Sequence, residues 1–425
     1  MSQRATRWSI TCALALLAAL AIAAAAGAGN GKGAPLPDGN PHFTTAGSAA
    51  PLPTSRTIPH WSFAYTDPQN RVSYTMTMVG TDPRLGGSTT VKTVIVPLAF
   101  NFVAGNQNLS VLNPQYASPP YPTPLNLTMD PTADAAKVLA SPIYSSYEYP
   151  ADMGGDVGQY GDAFMRAQFG KLGTGYHVRI ENQSTLPTIA FDVPQSKGAA
   201  YVRPAGAVAG VVDEQWFSTR VQSLLGSLHL DPTTVPIFLT HNVLLFGNSD
   251  YSNCCTVGYH GASKAVGNGG GSINGNGNQP VQTYVYAAYV TPNTYTGFND
   301  PAIAARRGMA DIHPLSHELA EWLDDPFVTN AVKPWIADSA PQYGCTALLE
   351  TGDPVVGVWF PLPGNPDPGA NGVWHPEDEV NLNWFAHDGQ PAGLGSWDGR
   401  YTFMGPHTIA IGGGYAAFAH SSNPC

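Results

Sequence analysis

The chain has 425 residues, of which 43% are hydrophobic and 12% are charged, and its formal net charge is −11 at pH 7. An acidic surface of this kind repels phosphate backbones, so the composition argues against nucleic acid as a partner. The length is sufficient for a large hydrophobic core and for two domains.

Residues 1–28 are typical of a secretory signal peptide. Arg4 and Arg7 precede the apolar run "WSITCALALLAALAIAAAAGAG", whose Ala-rich end suits signal peptidase. A membrane anchor is the alternative, because the run is nearly long enough to span a bilayer. We expect a secreted protein, extracellular or periplasmic, with no stable membrane span after cleavage. The mature chain would carry 17 basic and 30 acidic residues, a net charge of −13.

Three further regions follow the signal peptide. Residues 29–55 are rich in Gly, Pro, Ala and Ser without periodicity, which predicts a disordered leader. Residues 56–185 are predicted to be a β-rich N-terminal region, because apolar and polar residues alternate around Asp-Pro and Gly-Gly turns. Within it, "YGDAFMRAQF" predicts a helix with Asp162 as its N-cap, and "GYHVRIEN" predicts a strand. Residues 186–425 are predicted to be an α/β region that binds metal.

Residues 186–425 contain apolar residues at both strand and helix spacing. "TIAFDV" predicts a strand, "VVDEQWFSTRVQSLLGSLHL" has the apolar spacing of an amphipathic helix, and "VPIFLTHNVLLF" predicts one buried strand. "GNGGGSINGNGNQ" is typical of a flexible loop; a phosphate-binding loop is the alternative, although the Gly-Lys-Ser/Thr ending is missing. The predicted fold is α/β or α+β, with a mixed β-sheet, flanking helices and a zincin-like motif helix.

Four cysteines lie outside the signal peptide, and an even number in an exported chain predicts disulfides. Cys254 and Cys255 are adjacent, so a bond between them would be strained. We therefore expect two bridges from this pair to Cys345 and Cys425, with the individual partners left open.

The segment "DIHPLSHELAEWLDDP" (residues 311–326) concentrates histidines and acids in a charge-poor chain. Pro314 suits the first turn of a helix and Pro326 suits its end. One side of this helix is apolar at helical spacing, which predicts that it faces the core: Leu315, Leu319, Trp322 and Leu323.

His317 and Glu321 lie one turn apart on the other side, with Glu318 beside them. This is the zincin pattern with glutamate in place of the second histidine. In that pattern the first and fifth residues bind one metal ion, and the second holds a water molecule that the ion acidifies. Glu318 is therefore the predicted catalytic residue. We expect zinc, with calcium or manganese as alternatives because a carboxylate ligand also suits harder ions.

Downstream, "CTALLETGDP" offers Glu350 and Asp353, either of which would complete the metal site. The alternative to a metal site is an ordinary surface helix whose polar side faces water. Asp324 and Asp325 favour a nearby cation, because the helix dipole disfavours anions at a C-terminus, unless a turn uses these side chains.

Other histidines carry weaker predictions. His313 is expected to cap the helix or to contact a ligand residue, with a fourth metal ligand as the alternative. His260 is expected to be packed or hydrogen-bonded, with substrate contact as the alternative, and His241 to be a core histidine. No Gly-x-Ser-x-Gly motif is present and the cysteines look structural, so the sequence gives no support to a serine or cysteine nucleophile.

The motifs "LSHELAEWLDDPF" and "LETGDP", with upstream "CCTVGYHGA" and "QTYVYAAYV", resemble a group of uncharacterised secreted bacterial proteins, over most of the chain from about residue 70. Residues 235 to 355 are also distantly similar to the plant phosphate-induced (exordium-like) proteins, which are described as extracellular and growth-related. The resemblance implies that His317 and Glu321 match a pair available for metal, Glu318 the neighbouring acid, and Glu350 and Asp353 the downstream acids.

The sequence thus predicts a secreted metal-dependent hydrolase, first of all a zinc peptidase with an HExxE motif, acting on a peptide or another extracellular polymer. Two alternatives remain. One is a non-catalytic extracellular or cell-surface protein with a structural metal ion. The other is a carbohydrate-binding protein that uses the aromatic residues of the C-terminal segment "WHPEDEVNLNWFAHDGQPAGLGSWDGRYTFMG".

Overall fold

The computed structural model describes residues 56–102, 124–202, 208–249, 254–264, 280–296, 308–336, 345–387 and 390–404. The predicted signal peptide, the predicted leader, the Gly-rich segment and Cys425 lie outside these ranges. Within them, no helix combines the length and the apolar character that crossing a bilayer would require.

The described residues form a strand-rich α/β structure. Its strands are β1 (His60–Thr66), β2 (Ser73–Val79), β3 (Ser88–Phe102), β4 (Pro124–Leu125), β5 (Leu127–Met129), β6 (Tyr147–Glu148), β7 (Val157–Gly158), β8 (His177–Thr185), β9 (Ile189–Asp192), β10 (Gly198–Val202), β11 (Val208–Asp213), β12 (Thr234–His241), β13 (Val243–Phe246), β14 (Cys254–Thr256), β15 (Gly258–Lys264), β16 (Val281–Thr296), β17 (Gly308–Asp311), β18 (Ala331–Ile336), β19 (Cys345–Leu348), β20 (Leu362–Pro363) and β21 (Val373–Trp374). Its α-helices are α1 (Thr132–Ala140), α2 (Tyr160–Gln168), α3 (Glu214–Ser227), α4 (His313–Asp324) and α5 (Leu382–Phe385).

The central sheet is mixed, as predicted. Strand β3 runs parallel to β8, β9 and β12, and β12 runs parallel to β16. At the edge, β15 pairs with β16 in the antiparallel direction. The sheet therefore joins strands from residues 56–185 with strands from later in the chain, and the predicted mixed α/β class is confirmed.

Both faces of this sheet are covered. Along β12, Ile237 and Leu239 pack into one hydrophobic cluster, and Phe238, between them, packs into another on the opposite face. Successive side chains of a strand point to opposite faces. A strand that is apolar at every position, such as "VPIFL", therefore suits the middle of a covered sheet.

The segment "VPIFLTHNVLLF" forms two strands, so the prediction of one continuous strand was wrong. Strand β12 belongs to the central sheet, whereas β13 belongs to a second sheet with the order β14-β13-β11-β10-β4. Asn242 separates them with φ 49°, a left-handed conformation that asparagine tolerates. Its side chain accepts a hydrogen bond from the Thr291 amide (2.7 Å) and donates one to the Thr291 hydroxyl (2.9 Å).

The predicted helix at "YGDAFMRAQF" is α2, but Asp162 is not its N-cap. Gln159 holds that position, and Asp162 lies inside the first turn. There its carboxylate accepts a hydrogen bond from the Val178 amide (2.9 Å) and lies 2.8 Å from Nδ1 of His177. The acid thus ties α2 to β8 and leaves the helix end uncapped by a side chain.

The aromatic residues near the C-terminus pack mainly inside the protein. Trp374, Trp384, Phe385 and Phe403 are all buried in the larger hydrophobic cluster. Trp397 is partly exposed, and the Arg400 guanidinium covers its ring at 4.1 Å. Core packing accounts for most of these rings.

Candidate metal centre

The motif helix α4 begins at His313, has a proline in its first turn and ends at Asp324, as predicted. The helix contacts β15, β16 and α2. On its apolar side, Leu319 and Leu323 lie against Gly161 of α2. The polar side of α4 is covered as well, since the exposed fractions of His317, Glu318 and Glu321 are 2%, 2% and 0%. The alternative of a surface helix with its acids in water is therefore wrong.

Two glycines allow other segments to approach the polar side of α4. A Cβ atom on Gly258 of β15 would lie 2.6 Å from Cγ of Glu318, and one on Gly352 would lie 2.3 Å from Nδ1 of His317. Both distances are impossible for a real side chain without rearrangement. The sequence places glycine where the backbone meets the helix most closely.

Three of the four predicted metal ligands converge. Nε2 of His317 lies 3.2 Å from Oε1 of Glu321 and 3.7 Å from Oδ1 of Asp353. One ligand atom from each of these residues lies within 4.8 Å of the others. One imidazole nitrogen and two carboxylate oxygens are donors that zinc accepts, so the residues fit the predicted ion.

Glu350, the fourth predicted ligand, is buried nearby but lies outside this group of three. Burial raises the pKa of its carboxyl, and the charges of Glu321 and Asp353 raise it further. Its Oε2 has no hydrogen-bond partner in the described part of the chain. Glu350 is therefore a buried acid beside the site whose Oε2 has no described donor to favour ionisation.

Glu318, the predicted catalytic residue, lies beside the group. Its Oε1 is 3.9 Å from Nε2 of His317. Burial raises the pKa of this carboxyl well above its usual value, and the adjacent Glu321 raises it further. A carboxyl in this environment exchanges its proton nearer to neutral pH than an exposed one.

Glu377 orients the histidine and was missed by the sequence analysis. Its Oε2 lies 2.8 Å from Nδ1 of His317, which directs Nε2 of the same ring towards Glu321 and Asp353. A carboxylate on the far nitrogen fixes the tautomer of a ligating histidine and increases its basicity. Burial opposes ionisation of Glu377, but His313 and His317 outweigh it and hold its pKa below the usual value.

Glu377 belongs to "WHPEDEV". The prediction made for this segment from the sequence rested on its aromatic residues alone. Three consecutive acids, Glu377, Asp378 and Glu379, are unusual in a chain with 12% charge and were the overlooked feature. All three are fully buried. Glu379 accepts a hydrogen bond from the Tyr160 hydroxyl at 2.9 Å.

His313 contacts the ligand network and does not cap the helix. The N-cap of α4 is Ile312, without a side-chain hydrogen bond. Nε2 of His313 lies 2.9 Å from Oε2 of Glu377, the same oxygen that faces His317. This geometry agrees with one of the predicted roles of His313. The residue contacts Glu377, which in turn contacts the predicted metal ligand His317.

His260 is buried and hydrogen-bonded, as predicted, while His241 differs from its prediction. Nδ1 of His260 lies 3.4 Å from Oε2 of Glu318, and burial lowers the pKa of its imidazole to about 4. His241 is partly exposed, and its Nδ1 lies 2.6 Å from Asp134. It is a paired histidine at the end of β12 and not a core residue.

Among the described residues, Glu318, Glu321 and Glu377 form no salt bridge with lysine or arginine. The salt bridges described for these three acids involve only histidines. Burial opposes protonation of His317, but Glu321 and Glu377 outweigh it and raise its pKa. Buried carboxylates are retained when they are paired, protonated or bound to metal. The histidines and acids of this site could hold a cation.

Of the two acids at the end of α4, Asp325 is used by a turn and Asp324 is hydrogen-bonded to α2. Asp325 accepts hydrogen bonds from the amides of Thr329 (2.9 Å) and Asn330 (3.0 Å). Asp324 accepts one from the side chain of Gln168 at 2.7 Å. The hydrogen bonds of Asp325 therefore account for an acid at this helix end without a metal ion.

Cys255 and Cys345 are both disulfide-bonded. Cys425 and the side chain of Cys254 lie outside the described residues. The expected pairing between the Cys254–Cys255 pair and the two later cysteines stays a prediction.

No protein-family model, no curated protein and no solved structure matches this chain. The resemblance to secreted bacterial proteins and to exordium-like proteins stays a prediction from the motifs quoted above. Functional inference therefore starts from the residues of the site.

Proposed function

We propose that this protein is a secreted metal-dependent hydrolase whose ion is bound by His317, Glu321 and Asp353. The observation that supports the proposal is the convergence of these three side chains in a buried site, where the described salt bridges of Glu321 involve histidines alone. A group of three protein ligands leaves a position for water or substrate, as in catalytic zinc sites. Zinc is the proposed ion, with manganese or calcium as alternatives.

The proposed reaction is hydrolysis of a peptide or a related carbonyl compound. An ion held by His317, Glu321 and Asp353 would polarise the carbonyl and lower the pKa of a water molecule. Glu318 would take the proton from water while the water oxygen bonds to the carbonyl carbon, and would pass that proton to the leaving nitrogen while the C–N bond breaks. Its raised pKa suits both transfers.

The motif and the position of α4 also support a zincin-like active site, and this support is by analogy alone. The helix carries the HExxE motif and packs beside β15, the antiparallel edge strand of the described central sheet. Glutamate at position 321 in place of histidine is the departure from the zincin pattern.

A structural ion is the second candidate, and the burial of the site favours it. The exposed fractions of His317, Glu321 and Asp353 are 2%, 0% and 2%, which suits a closed coordination shell. This reading predicts bound metal and a melting temperature that falls with chelator, without turnover of any substrate.

Plasma mass spectrometry of the purified mature protein, after supply of zinc or manganese, tests metal binding. The wild type should retain metal, and His317→Ala should lose the ion bound by His317, Glu321 and Asp353. His229→Asn is the matched control, because His229 is exposed and its φ of 49° is one that asparagine tolerates. A wild type without metal would contradict both candidates.

A peptidase screen then separates the two candidates. The hydrolase reading predicts turnover by the wild type and none by Glu318→Gln, with metal still bound at His317 in the variant. Equal activity of the variant would exclude Glu318 as the general base. Metal without turnover across peptide, ester and glycan substrates would leave the structural ion.

A further inference from the structure

Two carboxylates of α4 each lie between two histidines. Glu321 places Oε1 3.2 Å from Nε2 of His317 and Oε2 3.7 Å from Nδ1 of His260. Glu318 places Oε1 3.9 Å from Nε2 of His317 and Oε2 3.4 Å from Nδ1 of His260. Each carboxylate thus presents one oxygen to each imidazole.

The carboxylate oxygens that face His260 form, together with its imidazole, a second group of potential metal ligands. One ligand atom from each of His260, Glu318 and Glu321 lies within 4.8 Å of the others. Oε2 of Glu321 is fully buried and has no hydrogen-bond partner among the described residues. Leaving a buried carboxylate oxygen without a donor is costly, and a bound cation would satisfy it.

The contact between His260 and Glu318 is a poor hydrogen bond, because 3.4 Å is longer than the usual N–H···O distance. His260 is buried, and its Nδ1 faces a carboxylate oxygen of both Glu318 and Glu321. The geometry therefore places one imidazole nitrogen beside the two carboxylate oxygens.

The backbone of β15 supports the same group. Gly258 and His260 are two residues apart on this strand, so they face the same side. A Cβ on Gly258 would lie 2.8 Å from Oε1 of Glu318 and 2.6 Å from its Cγ. Glycine at this position lets the Glu318 carboxylate lie between the strand and the helix.

We propose that the site holds two divalent cations, the second bound by His260, Glu318 and Glu321, with Glu321 shared between it and the ion of His317 and Asp353. This inference rests on the proposed function and deepens it. Two-metal hydrolase sites hold their ions about 3.5–4 Å apart, a spacing that a bridging carboxylate spans. Imidazole and carboxylate donors suit zinc and manganese.

The charge of the site agrees with two ions. One dication cannot neutralise four buried carboxylates in their ionised form, whereas two dications can. The four are Glu318, Glu321, Glu350 and Asp353. Glu318 would bind the second ion through Oε2 and keep Oε1 on the His317 side, so its role as a base is compatible with this arrangement.

The test uses the purified mature protein, stripped with EDTA and reloaded with manganese. We expect two ions per chain in the wild type and in the His229→Asn control, and one in His260→Ala, by plasma mass spectrometry. Electron paramagnetic resonance should show an exchange-coupled manganese pair in the wild type and an uncoupled ion in His260→Ala. Circular dichroism confirms folding, and His260→Gln replaces the alanine variant if that variant unfolds.

The outcomes separate this inference from the proposed function. One ion per chain in the wild type, or an uncoupled spectrum at two equivalents of manganese, would overturn the two-ion site and leave a one-ion hydrolase intact. Two coupled ions without turnover of any substrate would support the two-ion site and overturn the hydrolase. A wild type that binds no manganese and no zinc would overturn both.

Discussion

Nδ1 of His317 lies 2.8 Å from Oε2 of Glu377, a residue sixty positions later in the chain. The same oxygen lies 2.9 Å from Nε2 of His313, so one buried carboxylate orients two histidines on the first turns of α4. Its other oxygen accepts a hydrogen bond from the amide of Gly357 at 2.8 Å. The imidazole of His317 is thereby fixed before any ligand arrives.

Replacing Glu377 should weaken metal binding without removing a ligand. Partners of this kind typically contribute about 10–100-fold to metal affinity, so Glu377→Ala should lower zinc affinity by that factor. Glu377→Gln should have a smaller effect, because its amide oxygen still accepts a hydrogen bond. Competition with a zinc chelator measures the affinities, and the exposed Glu181→Ala is the control. Unchanged affinity in Glu377→Ala would contradict an orienting role.

Gly352→Ala should displace His317, because the new Cβ would lie 2.3 Å from Nδ1 of the imidazole. Overpacking of a buried position costs about 1–3 kcal/mol, and we expect a loss of that size in the free energy of unfolding. Gly175→Ala is a matched control, since Gly175 is exposed and has no atom within 4 Å of an added Cβ. Urea denaturation measures both variants, and equal stabilities would show that the site tolerates the methyl group.

Without metal, the protein should lose stability as the pH rises. Burial raises the pKa of Asp325 to about 7, above its value in an unfolded chain. Between these two values the folded protein keeps a proton that the unfolded chain has released, so stability is greatest at low pH and falls as pH rises through 7. Glu318, Glu350 and Asp353 shift in the same direction through burial. His260 acts oppositely, because its lowered pKa of about 4 reduces stability on acidification.

Asp325→Asn isolates one part of this dependence. In EDTA, the free energy of unfolding of the variant should fall less steeply between pH 4 and pH 7 than that of the wild type, because the titrating group is gone. The exposed Asp152→Asn should keep the wild-type slope. Denaturant titrations at several pH values provide the measurement. A wild-type stability that rises steadily over this range would contradict the predicted sign.

Asn330→Ala should destabilise the contact between β2 and the end of α4. The side chain accepts a hydrogen bond from the Thr77 amide and donates one to the Thr77 carbonyl, both at 2.8 Å, and another to the Asp324 carbonyl. Removing it leaves buried backbone groups unpaired, at about 1–3 kcal/mol for each such group. We expect a lower melting temperature, whereas the exposed Gln183→Ala should leave it unchanged. An unchanged melting temperature in Asn330→Ala would contradict this estimate.

The sequence predicted the elements whose patterns are local. The spacing of Leu315, Leu319 and Trp322 predicted α4 and its buried side, and Pro314 and Pro326 marked its limits. The same spacing gave no information on what covers the polar side. That cover comes from Gly258 on β15 and from Gly352, at contacts that no local periodicity reports.

The ligand group could be predicted only in part for the same reason. His317 and Glu321 are one helical turn apart, so the helix period alone brings them together. Asp353 was predicted as one of two downstream acids, but its proximity depends on tertiary folding. Glu377 and His260 reach α4 from distant segments, and only the acidic run containing Glu377 set it apart in the sequence. The break at Asn242 coincides with three polar residues, Thr240, His241 and Asn242, and these were the overlooked signal within an otherwise apolar segment.

The wide separation of the site residues along the chain has a kinetic consequence. His260, His317, Asp353 and Glu377 meet only after long segments have closed, and contacts of high sequence separation form late in folding. An ion that binds only the completed site stabilises the native state more than the folding transition state, so it slows unfolding and barely accelerates folding. If the protein is secreted as proposed and must outlast extracellular proteases, bound metal would determine the lifetime of the folded chain.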